Sequence, residues 1–145
     1  MNPTALFLSI LIKESRKNFV PDNGIHVSTA QWISEMRTIK LGLPRRSGKT
    51  TAIVELAAKH PSLIVCHNSQ MTDHLRRAHG VRAFSAHNLS YHSYGGDNEL
   101  IELLLVDEGF LLPAETQHRL VDFTAELWAK SKVDRDKFVM VCVGT

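Results

Sequence analysis

Leu43-Pro44-Arg45-Arg46-Ser47-Gly48-Lys49-Thr50-Thr51 is the stretch on which the reading of the fold turns. Ahead of it, residues 38–43 alternate weakly between apolar and polar, as a first strand would. Behind it a helix is expected from Lys49 to about Lys59, with Ile53, Val54, Leu56 and Ala57 facing a sheet and His60-Pro61 as its stop. A strand that turns through Gly48 into a helix leaves the first backbone N–H groups of that helix without partners. That helix start is suited to an anion. Lys49 adds an ammonium and Thr50 a hydroxyl, the groups that grip a polyphosphate and hold its Mg²⁺.

A second stretch, Leu103-Leu104-Leu105-Val106-Asp107-Glu108, carries the complementary chemistry. Four consecutive apolar residues read as a central strand, and the acidic pair marks where it emerges. Asp107 is placed to hold Mg²⁺ through water, and Glu108 to act as general base toward a water or a substrate hydroxyl. The bland alternative is an acidic turn after a core strand. Either stretch alone is a weak signal; in this order, among alternating strands and helices, they point to a nucleoside-triphosphate site.

The remaining elements fall around these two. Ser28-Thr29 offers an N-cap for a short helix through Gln31, Trp32, Ile33 and Met36, after a turn at Pro21-Asp22-Asn23-Gly24. Ser62-Leu63-Ile64-Val65-Cys66 reads as a doubly buried strand, followed by a helix over 70–79 that Gly80 ends. Residues 81–85 form a possible third strand, followed by a polar stretch over 87–98. A fourth strand is expected over 100–106, a helix from Pro113 to about Lys130, and a fifth strand over 138–143 ending at Gly144-Thr145. Such alternation predicts an α/β fold with a mainly parallel central sheet between helical layers. Both motifs fall at strand carboxyl ends, where ligands bind in such sheets.

The 145 residues suit one domain, divided here into an N-terminal helical extension over 1–30 and a core over 31–145. Hydrophobic residues make up 43% and charged residues 22%, ordinary for a soluble globular chain, so a cytoplasmic protein is expected. A net charge of +2 does not mark a nucleic-acid binder, so local clustering of Arg76, Arg77 and Arg82 carries more weight. The apolar run over 5–12 is too short to span a bilayer. It also lacks the flanks of a secretory signal and reads as a core or covering helix, with membrane or partner docking as the alternative. Cys66 and Cys142, each inside an apolar run, are expected as buried free thiols.

The loop departs from the Gly-x-x-x-x-Gly-Lys-Ser/Thr pattern: Leu43 occupies the first glycine slot and Gly42 stands one residue early. Arg45 and Arg46 are either a solvated basic turn or a source of one guanidinium that reaches the γ-phosphate and stabilises charge as the bond breaks.

Residues 43–51 and 105–108 together resemble the motor ATPases of the phage terminase large-subunit and helicase type, which have a RecA-like core of the P-loop NTPase class. The terminase loop often lacks the first glycine and carries an Arg at the position of Arg45. The resemblance implies ATP and Mg²⁺ as cofactors. It implies phosphate contacts from Pro44, Arg45, Arg46, Ser47, Gly48, Lys49, Thr50 and Thr51, metal contacts from Thr50 and Asp107, and catalytic roles for Glu108 and Arg45. More loosely, it casts Gln31 as the adenine-reading glutamine. Residues 62–77 are similar to the helicase strand-loop-helix that faces nucleic acid, so DNA is the partner implied. Residues 138–145 are similar to the strand and turn that couple hydrolysis to movement, which would set Gly144 and Thr145 near the γ-phosphate. Neither a nuclease domain nor a second core is expected within these 145 residues. A subunit of a ring or of a larger assembly is therefore expected, in the host cytoplasm if the chain is viral.

Two further readings stay open. Val106-Asp107-Glu108-Gly109-Phe110 also resembles the acidic segment of the thymidine kinase family, in which the Glu deprotonates a nucleoside hydroxyl, although no Cys-rich zinc lasso follows. The missing first glycine also allows an NTP-binding interaction module with slow turnover. The histidines suggest no metal site: His74 and His79 are five apart and lack an obvious third ligand, and His87 and His92 read as solvated loop residues with Tyr91 and Tyr94. Trp32 and Trp128 are expected in the core.

Overall fold

Five strands pair entirely in parallel in the order β1-β5-β4-β2-β3. They are β1 (Thr38–Gly42), β2 (Ser62–Cys66), β3 (Ala83–Ser85), β4 (Leu103–Asp107) and β5 (Val139–Gly144). The helices are α1 (Pro3–Lys17), α2 (Thr29–Met36), α3 (Lys49–Lys59), α4 (Ser69–His79), α5 (Tyr91–Tyr94) and α6 (Ala114–Ala129). The computed structural model describes residues 2–20, 28–94 and 99–144, apart from the side chains of residues 92 and 93. The turn expected at 21–24, the outer part of the polar stretch and Thr145 lie outside the described residues.

Period-two alternation divides the core between the two faces of the sheet. Leu63, Val65, Leu104, Val106, Met140 and Cys142 join one cluster with Trp32 and Ile33 of α2 and Leu120, Phe123 and Leu127 of α6. Ile64, Cys66, Leu103, Leu105, Val139, Val141 and Val143 join the other, with α1, α3 and α4. The result is an α/β sheet flanked by helices on both faces, as the alternation of elements predicted. Every residue of β4 and β5 is buried, whereas edge strand β1 is half-exposed, which explains its weak apolar pattern.

The expected elements shift by a few residues for local reasons. β3 begins at Ala83, two residues late. β4 begins at Leu103, because Leu100 is exposed and Ile101 only bridges to Val133. The buried stripe of α3 is Lys49, Ala52, Ile53 and Leu56, while Val54 and Ala57, assigned to the sheet face from sequence, are only partly buried. This i, i+3, i+4, i+7 stripe turns Lys49 inward at the carboxyl edge of the sheet.

The apolar run over 5–12 splits. Ala5, Leu8 and Ile12 of α1 pack into the core beside α3, while Leu6, Phe7 and Ile10 face outward. Among the described residues no helix is long and apolar enough to cross a membrane. Trp32 and Trp128 are buried with ring centroids 5.2 Å apart, and the Arg37 guanidinium sits 3.8 Å from the Phe19 ring beside them. The Trp pair is thus core structure, and Arg37 Nη1 donates to the Arg135 carbonyl at 2.8 Å.

Candidate functional site

β5 lies between β1 and β4, so the loop leaving β1 and the acidic end of β4 are about 10 Å apart, two strand spacings. The residue of β5 between them is Gly144, in register with Gly42 of β1. Neither position carries a side chain, and the ring of Phe110 takes up the space beside them at the carboxyl edge of the sheet.

Thr50 Oγ1 donates to Asp107 Oδ2 at 3.0 Å. Lys49 Nζ stands 3.4 Å from Glu108 Oε1 and 3.5 Å from the Pro44 carbonyl. The two stretches singled out in the sequence thus meet through two separate contacts. Asp107 is 1% exposed and its Oδ1 has no hydrogen-bond partner among the described residues. Burial pushes its carboxyl above the ordinary range; the Thr50 hydroxyl counters this, the Glu108 charge adds to it, and His67 and Lys49 oppose it. A buried carboxylate with one oxygen on a hydroxyl and the other unpaired has the donor set that a small, hard cation takes. Among the described residues no cluster of three or more His, Cys, Asp or Glu is arranged to hold a metal. A cation here would draw its remaining ligands from water and from its anion, as Mg²⁺ does on phosphates.

The loop reaches this geometry without a first glycine. Its start is fixed by Leu43 N–H donating to the Gly144 carbonyl at 2.7 Å, which extends the β1–β5 pairing by one residue. In the loop, only Arg46 (φ 61°) and Gly48 (φ 75°) take the left-handed conformation, so Leu43 needs no glycine's freedom. Glu108 is also left-handed, at φ 55°, a conformation that costs a non-glycine residue about 1–3 kcal/mol where it is held. That turn accompanies the contact of its carboxylate with Lys49.

Arg45 and Arg46 are exposed on the loop, and Thr51 is exposed on the first turn of α3. Gln31 lies on the outer face of α2, where its amide donates to Glu35 Oε1 at 3.1 Å. It lines a depression with Lys40, Gln117 and His118 that no residue of the 44–51 stretch shares. The structure therefore assembles Lys49, Thr50, Asp107 and Glu108 and does not bring Gln31 to them.

The arginines clustered in sequence separate in space. Arg76 Nε donates to the Ala83 carbonyl at 2.7 Å and borders a depression of about 300 Å³ with Ser69, Thr72, Asp73, Ser85 and Asn88. Arg82 lies 5.0 Å from the Tyr94 ring and lines a different hollow with His60 and Gly80. Arg77 borders a third with Gln70 and His74. The rings of His74 and His79 meet edge to face at 6.1 Å.

Two residues of the site escape the motif reading. His67 follows β2, the neighbour of β4, closely enough that its charge acts on Asp107. Asn68 Oδ1 accepts the Met71 N–H, so its amide nitrogen faces His67 Nε2 at 2.9 Å. Phe110 lies over the glycine pair: a Cβ on Gly144 would come within 2.6 Å of its ring, and one on Gly42 within 3.8 Å. The signal for both was positional, since each directly follows or abuts a strand end at the carboxyl edge.

The chain matches no protein-family model, and no curated protein is significantly similar to it.

Proposed function

We propose that the chain binds and hydrolyses a nucleoside triphosphate, ATP, with Mg²⁺. In this reading it is a P-loop NTPase with a RecA-like core, a motor-type ATPase of terminase or helicase character that acts on DNA. The observation that carries the reading is the 3.0 Å contact between Thr50 and the buried Asp107, beside the Lys49–Glu108 pair. A hydroxyl at a helix start and a strand-end carboxylate with one oxygen unpaired among the described residues would supply the protein's half of a magnesium–phosphate site.

In this reading Thr50 and Asp107 would hold the cation, which would supply charge shielding to the β- and γ-phosphates. Lys49 exchanges Glu108 for those phosphates, which leaves the Glu108 carboxylate able to orient and deprotonate the attacking water. The N–H groups from Ser47 to Thr51 cradle the anion, and exposed Arg45 supplies a guanidinium as charge moves to the leaving group. In this reading DNA would meet the depression bordered by Ser69 at the start of α4, Arg76 in its last turn and Asn88 after β3. A ring or larger assembly would let a neighbour complete the site.

The test is phosphate release from MgATP, measured alone, with DNA and with thymidine. Release stimulated by DNA is the expected result. Thymidine phosphate formed without free phosphate would replace the motor with a nucleoside kinase, and binding without turnover would leave an NTP-binding interaction module. Failure of the protein to bind MgATP at all would remove the reading.

A further inference from the structure

We propose that Thr4 is a positioning residue for the β1–α3 loop: its hydroxyl holds the Ser47 carbonyl outward and so turns the Gly48 N–H toward the phosphates. The inference rests on the phosphate-binding reading of that loop and adds an element outside both motifs, the first turn of α1.

Thr4 Oγ1 donates to the Ser47 carbonyl, 43 residues away in sequence. The turn that presents it is held on three sides. Asn2 Oδ1 caps α1 by accepting the N–H groups of Thr4 at 2.8 Å and Ala5 at 3.2 Å. The Asn2 N–H lies 3.1 Å from both carboxylate oxygens of Glu55 on α3. Ala5 and Leu8 are fully buried against the same core as α3. Asn2 Nδ2 also abuts Gly48, standing 2.6 Å from where a Cβ would project.

The consequence follows from peptide geometry. Among the described residues no peptide bond is cis, and in a trans peptide the C=O and N–H point in opposite directions. Fixing the Ser47 carbonyl toward α1 therefore fixes the Gly48 N–H away from it, on the side of Lys49 and Thr50. Glycine accepts either sign of φ at little cost, so this peptide would otherwise flip easily. The Gly48 carbonyl is already committed to the first helical bond, from Ala52 N–H at 2.9 Å, and Thr4 secures the preceding peptide. Ser47 Oγ, buried with no partner among the described residues, sits at the same joint.

Calorimetric titration with magnesium tripolyphosphate, which lacks base and sugar, tests the inference. Wild type is expected to bind. Thr4→Val keeps the branched shape, deletes the donor and is expected to bind about five- to tenfold more weakly, with Thr4→Ser close to wild type. Leu127→Val loosens the core on the opposite face of the sheet without touching α1; it is expected to lower the melting midpoint and leave affinity unchanged. Equal affinity of Thr4→Val and wild type overturns the role of Thr4 alone, as does a Thr4→Ser as weak as Thr4→Val. Absence of binding by wild type removes the phosphate reading itself. Should Thr4→Val fail to fold, hydrogen exchange at the wild-type Gly48 amide decides. Protection on adding tripolyphosphate is expected, and none would overturn the inference.

Discussion

Thr50 and Asp107, 57 residues apart in sequence, share a 3.0 Å hydrogen bond that leaves the other oxygen of a buried carboxylate without a partner among the described residues. The fold thus holds an anion in a place that raises its proton affinity, chiefly through burial. Because the folded carboxyl takes its proton at higher pH than the unfolded one, its charge weakens the unliganded fold once pH exceeds the unfolded value. Neutralising it should stabilise the protein as it abolishes cation-dependent binding. Asp107→Asn is expected to raise the melting midpoint of the ligand-free protein by about 2–4 °C, the equivalent of about 1 kcal/mol. The same variant should lose the additional stabilisation that wild type gains from MgATP. Thermal unfolding with and without MgATP reads both outcomes, and a lower ligand-free midpoint would contradict the argument.

In the proposed function Lys49 would serve binding and Glu108 chemistry. Lys49 is 9% exposed and pairs with Glu108 at 3.4 Å, so its removal takes a cation from beside that carboxylate as well as the proposed phosphate contact. Lys49→Ala is expected to lose nucleotide binding in a direct titration. Glu108→Gln should keep the affinity of wild type while turnover falls about 10²- to 10⁴-fold. Unchanged turnover would remove Glu108 as the base.

Gly48 faces two constraints at once. At φ 75° a side chain is strained, and its Cβ would meet Asn2 Nδ2 at 2.6 Å, whose partner oxygen is committed to capping α1. Gly48→Ala is expected to destabilise the fold by about 1–3 kcal/mol and to weaken tripolyphosphate binding. Denaturant unfolding and calorimetry measure the two losses. Gly80, also left-handed but with open space around it, should show the smaller stability loss and no change in binding.

Layer assignment and helix limits were legible in the sequence because one physical signal, the apolar period, fixes them. The runs at 62–66 and 103–107 are uninterrupted, and both strands are buried on two faces. Lys49, Thr50, Asp107 and Glu108 were legible because their chemistry is local to two short motifs. Gln31 was assigned by loose analogy, and the structure engages it with Glu35 instead. What escaped depends on contacts distant in sequence. The place of β5 between β1 and β4, His67 beside Asp107 and the Thr4 hydroxyl on Ser47 leave no periodic trace. The same holds for the basic cluster, since Arg76 and Arg82 point to different hollows although six residues apart in number.

Cys66 and Cys142 should behave as inert core groups. Burial pushes both thiols up to about 11, only partly offset by the Thr72 hydrogen bond at Cys66 and by Lys40 near Cys142. At pH 8 a disulfide reagent should label neither thiol in the native protein and both after unfolding. Unfolded thiols ionise near 9 and folded ones near 11, so the unfolded state releases protons first as pH rises between them. Stability should therefore fall across pH 9–11, and a Cys66→Ala, Cys142→Ala variant should lose that part of the slope. Native labelling at pH 8 would show that the β2 or β5 end opens to solvent.

Phe110 and Gly144 give a cycle that separates sterics from backbone strain. Gly144 does not take a positive φ, so alanine there is conformationally allowed; only the Phe110 ring, at 2.6 Å from the would-be Cβ, opposes it. The nearest ring atoms are Cδ2 and Cγ, close to the Phe110 backbone, so the ring cannot swing clear without moving the turn after Glu108. Gly144→Ala is expected to cost about 1–3 kcal/mol, as overpacking does. Phe110 is 44% exposed, so Phe110→Ala alone should cost less than a core aromatic would. The double variant should then be more stable than Gly144→Ala by itself, with a favourable coupling of at least about 0.5 kcal/mol in denaturant unfolding. Additive losses would mean that the ring does not rest on Gly144.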